Sequence, residues 1–134
     1  MANPPFQGSC LCGKVAYEVT GNLRDVVGCH CQQCRKVTGH IMAATAAKLV
    51  DFNIIRDDGL ARYRSSDTAE RGFCRTCGSS LFWWADGKDY VAITAGTLDG
   101  LTGLKIAGHI FCADKGDYYE IMDGDYQRDQ SGGG

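Results

Sequence analysis

An all-β fold is the class this sequence predicts, and three observations carry it. Short segments alternate apolar and polar residues with period two, as half-buried strands do. Turn residues separate them at regular, short intervals, and Gly supplies 18 of the 134 residues, about twice its average usage. No long stretch shows the 3.6-residue apolar period of an amphipathic helix. Short strands at this spacing suggest a sandwich or an open barrel.

Taken in order, Val15, Tyr17 and Val19 alternate with Ala16, Glu18 and Thr20 and read as the first strand. Ile41 to Ala46 is a small apolar run, expected as a buried strand. Phe52 to Arg56 and Leu60 to Arg64 flank Asp57-Asp58-Gly59, a hairpin signal that makes these aspartates turn residues, not an acid pair. Glu70 to Cys74 is expected to be the next strand. Ser80 to Trp84 is aromatic-rich and is closed by Asp86-Gly87. Tyr90 to Ala95 alternates with Val91 and Ile93 on one face. Thr97 to Leu101 has room for one helical turn. Lys105 to Phe111 and Tyr118 to Met122 complete nine expected strands. No internal linker or low-complexity stretch interrupts the series. One domain is therefore expected over residues 1–125. A flexible C-terminal tail is expected over residues 126–134, ending in Ser131-Gly132-Gly133-Gly134.

Composition narrows the function. The chain has 14 basic and 16 acidic residues and a net charge of −2. That balance gives no electrostatic footprint for nucleic acid. No segment approaches 18 consecutive apolar residues, so no membrane partner is expected. The first residues, Met1-Ala2-Asn3-Pro4-Pro5, have neither a basic start nor an apolar run, so no signal peptide is read there. A cytoplasmic location, with thiols kept reduced, is the expectation.

Eight cysteines are the outstanding feature. Seven fall into clusters: Cys10-Leu11-Cys12, Cys29-His30-Cys31-Gln32-Gln33-Cys34, and Cys74-Arg75-Thr76-Cys77. Such spacing lets a tight turn bring sulfurs to about 2.3 Å from one zinc ion, and residues two apart do not readily close a disulfide. Cys10, Cys12, Cys74 and Cys77 supply the four ligands of a closed structural site. Cys29, Cys31 and Cys34 supply three, the number found where a catalytic zinc keeps one position open. The partition is not unique: Cys29, Cys31 and Cys34 can also be closed by His30, His40, His109 or Cys112. Cys112, between Phe111 and Ala113, reads as a core thiol.

Together, Gly8-Ser9-Cys10-Leu11-Cys12-Gly13, Cys29-His30-Cys31 with Cys34-Arg35-Lys36, Phe73-Cys74 with Cys77-Gly78-Ser79, and His109-Ile110-Phe111 resemble the glutathione-dependent formaldehyde-activating enzyme family, which includes the centromere protein V group. The resemblance covers nearly the whole chain. It implies a β-tent of antiparallel sheets around zinc. It implies that Cys10, Cys12, Cys74 and Cys77 hold the structural zinc, and that Cys29, Cys31 and Cys34 hold a second, exchangeable zinc beside the substrate. The family's activity joins glutathione and formaldehyde into S-(hydroxymethyl)glutathione, a carbon–sulfur lyase reaction. Many members carry Trp where Tyr118 or Tyr119 falls here, a departure that bears on the substrate and not on the fold.

On this reading Cys29, Cys31 and Cys34 are the catalytic group, acting through zinc on a thiol such as glutathione and a small aldehyde. Three thiolates leave a zinc ion weakly Lewis-acidic, so thiol activation outranks water activation. A non-catalytic thiol-binding or carrier module is the alternative, since glutathione and formaldehyde combine unaided. Two purely structural zinc ions are a third reading. Arg35 and Lys36 follow the second cluster directly and are candidates for holding substrate carboxylates, beside the reading as solvated charges. His109 is a candidate for the pocket or for a structural hydrogen bond. His30 is expected to point away from the metal, and His40 to be an ordinary strand-end residue. Trp83 and Trp84 face opposite ways on a strand, one toward the core and one toward a ligand cleft or a homodimer contact.

Overall fold

The computed structural model describes residues 3–122 and 124–130. The tail Ser131–Gly134 lies outside the described residues. Strands dominate, in agreement with the expected class, and are arranged in two sheets. The smaller has the order β1–β2–β5, from β1 (Phe6–Ser9), β2 (Val15–Val19) and β5 (Phe52–Asp57). The larger has eight strands. Across it run β11 (Tyr126–Gln127), β10 (Ile106–Ile110), β3 (Val26–Cys29), β4 (Met42–Lys48), β9 (Tyr90–Thr94), β8 (Ser80–Ala85), β7 (Ala69–Cys74) and β6 (Leu60–Arg64). Pairing is antiparallel except at β10, which runs parallel to both β3 and β11. The large sheet is therefore mixed rather than purely antiparallel. The expected domain end at residue 125 falls immediately before β11, which pairs with β10 through Gly108↔Tyr126 and His109↔Gln127.

Period-two alternation places two different environments on the two faces of the large sheet. Leu81, Phe82, Val91, Ile93 and Ala47 pack with Val15, Tyr17 and Val19 of β2 in the main core. Tyr17 and Phe82 meet edge to face with ring centroids 5.3 Å apart, a favoured aromatic geometry. The Tyr17 hydroxyl is 2.8 Å from the Thr97 hydroxyl, so the buried phenol is paired. Gly8 makes this possible: a Cβ there would lie 2.3 Å from Tyr17 Oη and 2.5 Å from the Thr97 carbonyl oxygen. The opposite face carries Met42, Ala44, Trp83 and Ala92, a second small cluster around Cys34. Trp84 packs on the main core and Trp83 on this second cluster, as alternation requires.

Three local expectations change. Tyr118 to Met122 forms no strand and runs as turn and irregular backbone, where its tyrosines hydrogen-bond to histidines instead. The turn expected at Thr97 to Leu101 sits earlier, as a 3-10 turn over Ala95–Thr97. Cys112 begins a 3-10 turn, Cys112–Asp114, and is half-buried rather than part of the core. One α-helix, α1 (Gln32–Thr38), occurs among the described residues. It has only two turns, too few for an apolar period to show. Its N-cap is Cys31, whose sulfur accepts from the Cys34 backbone N–H at 3.2 Å. Gly39 ends it at φ 85°, the left-handed cap that Gly adopts without strain.

Candidate metal centres and the cavity beside them

The loop after β1 brings Cys10 and Cys12 to the end of β7, where Cys74 closes the strand and Cys77 lies in the turn that follows. All four sulfurs lie within 4.8 Å of one another. Cys12 Sγ is 3.7 Å from both Cys10 Sγ and Cys74 Sγ. Four sulfurs at 2.3 Å around a tetrahedral ion stand about 3.8 Å apart, so the set fits zinc. The turns are closed by Gly13 and Gly78, both at positive φ. They aim backbone N–H groups at sulfur: Val15 N–H at Cys10 (3.3 Å) and Cys77 N–H at Cys74 (3.5 Å). Ser79 joins the two arms, accepting from Leu11 N–H at 3.0 Å and lying 3.2 Å from Cys77 Sγ. The Ser79 hydroxyl, and then its backbone, pull the Cys77 thiol down to about 5. Cysteine in this state is a thiolate at neutral pH, the form that binds metal.

A second group forms where β3 runs into α1. Cys29 ends the strand, Cys31 caps the helix and buried Cys34 lies in its first turn, with the three sulfurs within 4.8 Å of one another. Among the described residues no fourth protein ligand joins them. Cys34 is drawn down to about 6, by hydrogen bonding to Cys29 and then by Arg71. Cys29 moves the other way, through hydrogen bonding to Cys34 and then through its partial burial. Arg71 of β7 is 5% exposed. Its Nη2 donates to Cys34 Sγ at 3.5 Å and to Gln33 Oε1 at 2.7 Å, its Nε donates to the same oxygen at 3.0 Å, and its Nη1 reaches Met42 Sδ at 3.3 Å.

The three sulfurs open onto a cavity of about 590 Å³ on the second face of the large sheet. That is a normal size for a small-molecule site. Met42, Ala44, Ala92 and Trp83 give it an apolar wall, and Arg24, Arg71 and Arg128 are its cationic side chains. Among the described residues no carboxylate and no imidazole lines it.

A model of the family described as glutathione-dependent formaldehyde-activating enzyme matches residues 5–114. The chain belongs to this family. An uncharacterized lyase of Schizosaccharomyces pombe is 27% identical over 120 residues, covering 88% of this chain and 86% of that protein. A Rhodobacter sphaeroides protein of known crystal structure is similar in fold, with a TM-score of 0.60 and 31% identity. The match covers 72% of this chain and 91% of that one.

In this member of the formaldehyde-activating family the seven clustered cysteines come together as four and three. His30, His40, His109 and Cys112 join neither group. Arg35 and Lys36 lie on α1, and neither lines the cavity; nor does His109. His30, 1% exposed, points away from the sulfurs into a hydrogen-bonded chain. Its Nδ1 meets Tyr119 Oη at 2.5 Å, its Nε2 meets His109 Nδ1 at 2.9 Å, and His109 Nε2 meets Asp125 at 3.3 Å. Burial, and then His109, hold His30 down to about 4, so it is neutral near pH 7. Gly28 permits the contact, since a Cβ there would stand 2.8 Å from His109 Nδ1. His40 is exposed and bonds Tyr118 Oη at 2.8 Å. Sequence reasoning missed Arg71, Arg24 and Arg128. Only Arg71 left a signal: it is in phase with Ala69 on a strand and out of phase with Cys74.

Proposed function

We propose that the protein is a zinc-dependent enzyme of the carbon–sulfur lyase type that joins a thiol, glutathione, to formaldehyde or a related small aldehyde. One observation carries the reading: three convergent cysteine sulfurs, without a fourth protein ligand among the described residues, open onto a ligand-sized cavity. Cys10, Cys12, Cys74 and Cys77 would hold a structural zinc, and Cys29, Cys31 and Cys34 a second one. When bound there, that ion would supply the positive charge that keeps a substrate thiol in its thiolate form. In the reaction a carbon–sulfur bond forms between thiol sulfur and aldehyde carbon. The thiol proton ends on the carbonyl oxygen, giving a hydroxymethyl thioether. Arg24 and Arg128 are the side chains suited to the carboxylates of glutathione, and Trp83 and Met42 to its methylene groups and the aldehyde carbon.

A non-catalytic thiol carrier is the second reading. It is favoured by the absence, among the described residues, of any carboxylate or imidazole from the cavity wall, the groups most often used to move a proton. Replacement of Cys31 by Ser separates the readings. Loss of one zinc together with at least tenfold slower adduct formation supports the enzyme. Loss of one zinc and of glutathione binding, with an adduct rate equal to the uncatalysed one in both proteins, supports the carrier. Unchanged glutathione binding and unchanged rate refute both.

A further inference from the structure

Arg71 is a buried cation without a buried anion beside it, unless the cysteines provide one. A guanidinium does not lose its proton in a protein, and a charge removed from water must be paired. Among the described residues the ion pairs are Arg62–Glu70, Arg64–Asp86 and His109–Asp125; Arg71 has no carboxylate. Its partners are an amide oxygen, a thioether and Cys34. Gln33 cannot supply charge, and it is itself fixed by donating to the Ser65 carbonyl oxygen at 3.0 Å. The thiolates are what remain.

Charge counting then makes Arg71 selective. Three thiolates around a divalent ion carry −1, which Arg71 neutralises. A neutral ligand completing the shell changes nothing. A thiol that enters as thiolate, leaving its proton to the buffer, adds −1 within reach of a guanidinium that also lines the cavity. We propose that Arg71 is the fixed counter-charge of the three-cysteine site and biases its fourth position toward a thiolate over a neutral ligand. This rests on the reading that Cys29, Cys31 and Cys34 hold a metal. Arg71 is on that view a positioning residue, acting through Cys34 and through its field.

The test uses the full chain loaded with cobalt(II), whose sulfur charge-transfer absorption reports each added thiolate. Wild type, R71M, R71Q and R71K are titrated with reduced glutathione, and binding of S-methylglutathione is measured by calorimetry. The glutathione midpoint is expected to rise by about tenfold or more in R71M, the order expected for a unit charge a few ångströms away at an intermediate dielectric. R71K, which keeps the charge, is expected within about threefold of wild type, and S-methylglutathione binding is expected to stay within about twofold in R71M. R71Q replaces R71M if near-ultraviolet circular dichroism shows the latter misfolded. A neutral variant with the wild-type glutathione midpoint overturns the proposal, as does R71K shifted as far as the neutral variants. A wild type that takes up cobalt at both clusters but gains no absorption with glutathione overturns the thiol reading as well, so the two failures are distinguishable.

Discussion

Cys12→Ser combined with Cys77→Ser removes one sulfur from each arm of the four-cysteine cluster. Cys12 is exposed and Cys77 half-buried, so little packing is disturbed, and two ligands remain where zinc takes four. The consequence follows from chain connectivity. Cys12 and Cys74 are 62 residues apart in sequence, and on the proposed reading a metal clip between them would remove that loop's freedom from the unfolded chain. The chain-entropy relation for a cross-link closing such a loop gives about 4 kcal/mol. Unfolding entropy of about 2.1 cal/mol/K per residue makes about 0.28 kcal/mol/K for 134 residues. The expected fall in Tm is therefore about 14 °C. Circular dichroism melting with saturating zinc, paired with metal content by mass spectrometry, reads both quantities. A variant that has lost this cluster's zinc, yet melts within about 4 °C of wild type, refutes the argument that the clip ties the N-terminal sheet to the large one.

Other outcomes follow from the same geometry. Gly28→Ala places a methyl against His109 Nδ1 and is expected to lower stability in urea by about 1–3 kcal/mol; an unchanged midpoint would show that the two imidazoles need not touch. Trp84→Ala, on the main core, is expected to cost about 3 kcal/mol. Trp83→Ala is expected to cost less and to weaken glutathione binding more; a reversed order would contradict the assignment of the two sheet faces. His30 takes up its proton near pH 4 when folded and near 6.5 when unfolded, so the unfolded chain binds more protons between these values. Its neutral form therefore contributes stability above about pH 6.5 that is lost as pH falls toward 4, by about 2 kcal/mol. Denaturant titrations at pH 7 and 4.5 are expected to show a smaller drop in His30→Asn than in wild type, and equal drops would be inconsistent with a buried neutral His30.

What the sequence made legible divides along physical lines. Strands with one buried face announce themselves, because alternation in Val15–Val19 or Tyr90–Thr94 is the burial pattern itself. The close cysteine clusters were legible because their spacing is local, whereas the joining of Cys10 and Cys12 to Cys74 and Cys77, across 62 residues from Cys12 to Cys74, is what the family resemblance implies and spacing leaves open. Short β1, β3 and β11 were missed because two to four residues do not make a period, and α1 because its cap is a sulfur instead of the usual hydroxyl or carboxylate. Tyr118 to Met122 misled because tyrosines favour strands, whereas here they serve as hydrogen-bond partners for His30 and His40. The cavity's arginines come from β7 and from the segments before β3 and after β11, and only the sheet order brings them together. No window of sequence contains that order.

Arg71 shows how the two cysteine groups are joined by such a rule. On β7, residues three apart face opposite ways. Cys74 accordingly lies in the main core beside the four-cysteine cluster, and Arg71 beside Cys34 on the other face. A one-residue slip of β7 would exchange these faces, sending Arg71 into the apolar core and Cys74 away from Cys12. With a metal bound as proposed, the four-cysteine clip would fix the end of β7 and with it that register. Loss of the clip should therefore displace Arg71 from Cys34 as well as lower Tm. The Cys12→Ser/Cys77→Ser variant is expected to weaken glutathione uptake at the three-cysteine site even below its melting point. Wild-type glutathione affinity in that variant would show that β7 holds its register through sheet pairing alone.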